Sequence, residues 1–198
     1  MAALKEWGIV CRALEQGRQV ILLRKGGILE YKQGFEIKHD SFWLYPTLEH
    51  QSKDFIQPDY LEEMGDIFTG NDAQKISKYV IIKSYANVER IYEIENKSLL
   101  SMLSRYHIWN EKYVHMRMDY NPTKPLNALL LRVYKLAQPV KFEIAPEWSG
   151  CKSWIDIDIP EYTRFENARD INKLESLKPV IIDSEFRNIT DEIDEVLK

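Results

Sequence analysis

Cysteine is scarce: Cys11 and Cys151 are the two in 198 residues. No disulfide framework is suggested, which fits a reducing compartment. Cys11 falls on the apolar side of a predicted helix, where a thiol behaves as a small hydrophobe. Histidine is nearly as sparse, and His39, His50, His107 and His115 stand at no metal-ligand spacing from one another. That argues against a structural zinc site, and no metal or other cofactor is expected. No apolar run approaches the eighteen residues of a membrane span. The N-terminus has neither the basic head nor the long apolar run of a signal peptide. These absences predict a cytoplasmic protein with no membrane partner.

The familiar catalytic signatures are missing as well. There is no G-x-S-x-G elbow, no reactive-cysteine context and no G-x-x-x-x-G-K-[ST] phosphate loop. Glu36-Ile37-Lys38 matches the E-x-K tail of restriction-type nuclease sites, but those sites need an acid on an earlier strand. Only Glu30 stands just upstream, on a predicted turn, and an exposed strand face explains the three residues better. Asp156 and Asp158 share a strand face that could hold Mg²⁺. Ile155, Ile157 and Ile159 take the inward side, which simply leaves the acids to water.

Strong charge of either sign is also lacking. The net charge is −4, too acidic for a protein that grips nucleic acid by bulk attraction. The sign is uneven, however. Residues 156–198 carry twelve acids and six bases, and residues 1–155 carry 19 acids and 21 bases. A near-neutral body with an acidic tail leaves room for a local basic patch.

What is present is apolar and aromatic. Apolar residues make up 44% of the chain, with eleven Tyr, seven Phe and five Trp, enough for a sizeable core. Leu4, Trp7, Cys11 and Leu14 fall on helical spacing, and Gly17 suits a helix stop. Residues 20–23 are apolar on both faces and predict a central strand. Strands are expected over 35–45, 79–86 with 88–94 (one bent strand or a pair), 126–136, 140–144 and 154–159. Helices are expected over 59–64, 99–106 capped by Ser98, and 111–118 capped by Asn110. Gly70-Asn71-Asp72 reads as a loop tip. Past Pro160 the pattern turns helical, with Phe186, Ile189, Ile193 and Val196 forming a stripe after Asp183.

Several polar and aromatic residues invite a binding role. Arg24 and Lys25 end an apolar strand, and Gly26 and Gly27 would let a backbone approach closely, which suits a phosphate. A hairpin corner with solvated charges explains the four about as well. Trp43, Tyr45, Trp109, Trp148 and Trp154 are candidates for stacking a base, although each is individually better explained as core. Arg132 interrupts an apolar strand and calls for a carboxylate partner before a ligand. Thr47 and His50 follow Pro46 at a strand end.

Those residues carry a family resemblance. The pieces Ala3-Leu4-Lys5-Glu6-Trp7, Leu22-Leu23-Arg24-Lys25-Gly26-Gly27-Ile28 and Phe42-Trp43-Leu44-Tyr45-Pro46-Thr47-x-x-His50-Gln51 resemble the bacterial domain of unknown function 1802. So do His107-Ile108-Trp109, Leu130-Leu131-Arg132-Val133-Tyr134-Lys135-Leu136 and Gly150-Cys151-Lys152-Ser153-Trp154. Some chains of that kind are joined to an Mrr-type restriction nuclease domain, so the resemblance implies a restriction setting. This sequence carries no such nuclease domain, and a nuclease would be a separate partner. Leu14-Glu15-Gln16-Gly17-Arg18-Gln19 and the following strand are also similar to the opening of ASCH domains, which are PUA-like. That likeness implies a small β-barrel with outer helices and a cleft for RNA or a modified base. The insertion over 54–78 and the helical tail depart from a minimal domain of that type.

The expectation is therefore an α+β fold: a curved, mostly antiparallel sheet or small PUA-like barrel with outer helices. Residues 1–160 would form the PUA-like domain and 161–198 an acidic helical appendage docked on it. The expected function is nucleic-acid recognition, of DNA or RNA, reading a modified or flipped base in a defence setting. Arg24, Lys25, Gly26 and Gly27 would face phosphate, Trp43 or Trp109 would stack the base, and Thr47, His50 and Arg132 would read its edge. One alternative is a hydrolase of nucleic acid or nucleotide, with or without Mg²⁺, using His50 as general base. The other is a protein-interaction module.

Overall fold

A computed structural model describes residues 1–25, 29–30, 36–37, 39–64, 78–120, 122–150, 152–159 and 177–198. Gly26, Gly27, Lys38, the Gly70-Asn71-Asp72 tip, Cys151 and residues 160–176 lie outside them. The strands are β1 (Ala2–Trp7), β2 (Ile21–Arg24), β3 (Leu29–Glu30), β4 (Glu36–Ile37), β5 (Ser41–Thr47), β6 (Tyr79–Ile94), β7 (Leu126–Glu143), β8 (Trp154–Asp156) and β9 (Leu177–Pro179). The α-helices are α1 (Gly8–Glu15), α2 (Pro58–Met64), α3 (Lys97–Met102), α4 (Glu111–Asp119) and α5 (Asp183–Leu197).

The fold is α+β. Seven strands form one mixed, open sheet in the order β2-β7-β6-β5-β1-β8, with β9 added alongside β7. β1 and β5 run parallel, and the other pairs are antiparallel. The expected mostly antiparallel sheet is therefore present, and it does not close into a barrel. β2 stands at one end of the order rather than in its middle. Both its faces are still buried in the apolar core, and the segment around Tyr106 runs beside the residues that lead into it. Val20 N donates to Tyr106 O at 3.0 Å, and Ile108 N donates to Gln19 Oε1 at 3.4 Å.

The chain does not open with a helix at Leu4. Residues 2–7 are a strand between β5 and β8, because this stretch buries both faces where a helix would bury one stripe. Ala3 joins one core cluster and Leu4 the other. The helix begins at Gly8 without a side-chain cap of its own, and Gln51 Oε1 accepts from Ile9 N at 3.0 Å instead. At its far end Gly17 takes φ 71, and Arg18 N returns to Ala13 O at 2.9 Å. The cap of α3 is Asn96 rather than Ser98, whose N–H it accepts at 3.0 Å. Asn110 caps α4 as expected, accepting from Tyr113 N at 3.1 Å.

Two core clusters take opposite faces of β1 and β5. Leu4, Phe42, Leu44 and Leu129 join α1, α4 and α5 in the larger one. Ala3, Trp43, Tyr45, Ile82, Tyr85 and Ile155 form the smaller one. Each fully buried Leu or Ile contributes roughly 1.5–3 kcal/mol against exposure. α5 buries Phe186 and Ile193 in the larger cluster.

β6 and β7 pair over nearly their whole lengths, from Ile94↔Leu126 to Tyr79↔Glu143. One irregularity shapes the surface. Ile82 faces Val140 while Ser84 faces Lys135, so residues 136–139 of β7 stand opposite Lys83 alone. Pro139 lies in that excess stretch, where a missing ladder N–H does no harm. The expected strands over 126–136 and 140–144 are thus one strand with a bulge. Beyond the bulge the pair continues as an arm past α1.

Candidate functional site

A cleft of about 760 Å³ opens between α1 and this arm. α1 contributes Cys11, Arg12 and Glu15, the bulge contributes Lys83, Lys135 and Pro139, the end of β5 adds Pro46, and Leu48 follows just past it. Along β6, Tyr79, Ile81 and Lys83 alternate outward, leaving Tyr79 46% and Ile81 43% exposed. Lys141, paired with Ile81, holds its ammonium 4.0 Å from the centre of the Tyr79 ring. The walls are therefore aliphatic and aromatic, and the charges sit near the helix.

Glu15 is the chemical centre of the cleft. Buried Ser84 donates its hydroxyl to Glu15 Oε1 at 2.8 Å. Burial pushes the Glu15 carboxyl above its ordinary range, and the Ser84 hydrogen bond with the charges of Lys83, Lys135 and Arg12 pulls it partly back. Lys83 and Lys135 make no ion pair among the described residues. Among the described lining residues three cations, Arg12, Lys83 and Lys135, accompany one carboxylate in an acidic chain.

The residues singled out from the sequence fall elsewhere or at its margin. Arg24 donates to Glu6 Oε2 at 2.6 Å and to Lys5 O at 3.1 Å. Lys25 is buried and donates to Met118 O, against the negative end of α4. Trp43 is fully buried in the smaller core, edge-on to Tyr85 at 4.9 Å. Trp109 is buried in the larger core and stacks on Tyr113, with ring centres 3.8 Å apart and planes 11° from parallel. Arg132 lies under α5, paired with Asp183 and 4.5 Å from the Phe186 ring centre. Its expected carboxylate partner is therefore present. Thr47 Oγ1 accepts from Glu49 N at 3.1 Å, and His50 is exposed with φ 60. Thr47 ends β5, and His50 lies on the loop that follows Leu48 at the cleft. The described members of the set do not meet in one hollow.

Sequence reading missed Arg12, Glu15, Lys83 and Lys135, each of which passes for an ordinary surface residue. One signal was available. Pro139 within a long β pattern marks a bulge, and a bulge re-aims the side chains beside it. Among the described residues no group of three or more His, Cys, Asp or Glu could hold a metal ion, and no helix is long and apolar enough to cross a membrane.

An open α+β sheet with a cationic cleft between its first helix and a bulged arm defines the class of protein. The chain belongs to the family described as Domain of unknown function (DUF1802), which matches residues 3–192. No curated protein matches it. Solved structures of an ASCH protein from Zymomonas mobilis are similar. One is 14% identical over 74% of this chain and 88% of that one, with a TM-score of 0.42. A single-substitution variant of it is 13% identical over 96% and 94%, with a TM-score of 0.41.

Proposed function

We propose that the cleft between α1 and the β6–β7 arm binds nucleic acid, taking a displaced or modified base of single-stranded DNA or RNA. One observation carries the reading: a single hollow of about 760 Å³ joins three cations, an exposed tyrosine and one half-buried carboxylate. That volume lies within the roughly 300–1,000 Å³ of small-ligand sites. Lys83, Lys135 and Arg12 would meet phosphate, and Tyr79 and Pro139 would meet the base. Thr47 and His50 would flank the mouth. Arg24, Lys25, Trp43, Trp109 and Arg132 would support the fold around it. In a restriction setting a separate nuclease would do the cutting, a role supported by the resemblance to chains joined to Mrr-type domains.

The test is fluorescence anisotropy with labelled eight-nucleotide RNA and DNA strands at low salt. The wild type is expected to bind. The double variant Lys83→Ala/Lys135→Ala is expected to bind about tenfold more weakly, because two exposed phosphate contacts are lost. Absence of wild-type binding, or equal binding by a folded double variant, would overturn the reading.

A further inference from the structure

Resting on that reading of the cleft, we infer that Glu15 sorts the bases that enter it, admitting those whose edge carries an amine and turning away uracil and thymine. Glu15 lines the hollow from α1, and its carboxyl is aimed by one fixed contact. Ser84 is fully buried and donates to Oε1 at 2.8 Å, so the carboxyl cannot swing to solvent without breaking that bond. An ionised carboxylate offers about four acceptor sites and no donor. One is occupied by Ser84, and no other hydrogen bond reaches Glu15 among the described residues.

The partner such a group selects follows from base chemistry. Cytosine presents its N4 amine, adenine its N6 amine, and guanine its N1–H beside its N2 amine, all of which donate to a carboxylate. Uracil and thymine place a carbonyl where cytosine has its amine; their one donor on that edge, N3–H, stands between two carbonyls, so a carboxylate that accepts from it is set against an unpaired acceptor on either side. A simple anion is also a poor occupant. Lys83, Lys135 and Arg12 would attract bare phosphate, but a carboxylate in their midst repels it. The fitting ligand has two ends: phosphate toward the cations and an amine-bearing base toward Glu15. Burial already strains the Glu15 anion, and a donor from the base would replace the water it lacks. The bland rival is that Glu15 only balances the neighbouring cations, in which case base identity would not matter.

The experiment compares octamers of cytidine and uridine, as RNA and as their deoxy counterparts, by anisotropy. The wild type is expected to bind the cytidine strand about tenfold more tightly than the uridine strand. Glu15→Gln keeps the acceptor for Ser84 but adds a donor, and is expected to reduce the difference to below about threefold. Ser84→Ala leaves the carboxyl but frees it to turn, and is expected to reduce the preference without abolishing binding. Lys83→Ala should weaken both strands equally. If the wild type binds both strands equally while Lys83→Ala still weakens them, the sorting role is overturned and the site stands. If Lys83→Ala changes neither strand, the site itself is overturned. A preference that survives both Glu15→Gln and Ser84→Ala would assign the sorting to another residue.

Discussion

Glu15 places an ionisable group where water is thin, and that has a consequence for stability. Its ordinary value is 4.5, and burial raises it in the folded chain. The folded state therefore favours the protonated form. That contribution is complete below 4.5 and is lost as pH rises through the raised value. At pH 8 the wild type carries the full electrostatic penalty, whereas Glu15→Gln does not. Thermal melts should show Glu15→Gln with the higher Tm at pH 8 and an advantage that shrinks toward pH 4. A constant difference would mean that the three nearby cations offset burial, and a reversed one that they outweigh it. The same side chain shows why the site was hard to read beforehand. Glu15 follows Arg12 by three positions on a short helix, as solvated pairs commonly do. Its special setting is made by Lys83, Ser84 and Lys135, about 70 and 120 positions further along the chain. The tryptophans mislead in the opposite way. A ring that could stack a base and a ring that fills a core are chemically identical, and only its neighbours decide. Trp43 met Tyr85, and Trp109 met Tyr113.

Elements were more legible than sites. The capped start of α4, the glycine stop of α1 and the apolar stripe of α5 rest on local rules, and the structure follows them. The first turn was misread because Leu4 and Trp7 fit a helical period as well as a doubly buried strand does. Their partners in β5 and β8 lie about 40 and 150 positions away. The docking of α5 gives a prediction at this scale. Arg132 is buried and its guanidinium lies over the Phe186 ring, but Asp183, its partner, has a side chain 85% exposed. Solvent therefore screens the pair, and Asp183→Asn should cost less than about 1 kcal/mol. Arg132→Ala also removes buried packing between α5 and β7 and should cost roughly 2–3 kcal/mol. Urea denaturation of the two variants checks the order. Equal losses would show that the charge pair, rather than the packing of Arg132 against Phe186, fastens the helix.

At the scale of the whole molecule the question is how an acidic chain can hold a polyanion. Net charge −4 gives no long-range help, and charges more than about 10 Å apart are largely screened at ordinary salt. Attraction must therefore be local, and the distribution of acids permits it. Asp183, Glu192 and Asp194 of α5 are engaged with Arg132, Arg105 and Arg90. Lys83 and Lys135 face the cleft, where Glu15 is the one carboxylate among the described lining residues. A ligand held by Lys83, Lys135 and Arg12 releases few counterions. For a single strand the logarithm of affinity falls with the logarithm of salt at about 0.7 per phosphate contacted. The wild type should therefore show a slope of about −2, and Lys83→Ala/Lys135→Ala a slope of about −0.7. A bulk-charge binder would give a far steeper line that two substitutions barely alter. A wild-type slope near zero would assign the affinity to the apolar walls, Tyr79 and Ile81 foremost. Anisotropy titrations between about 25 and 200 mM salt, roughly an eightfold range in ionic strength, separate these cases.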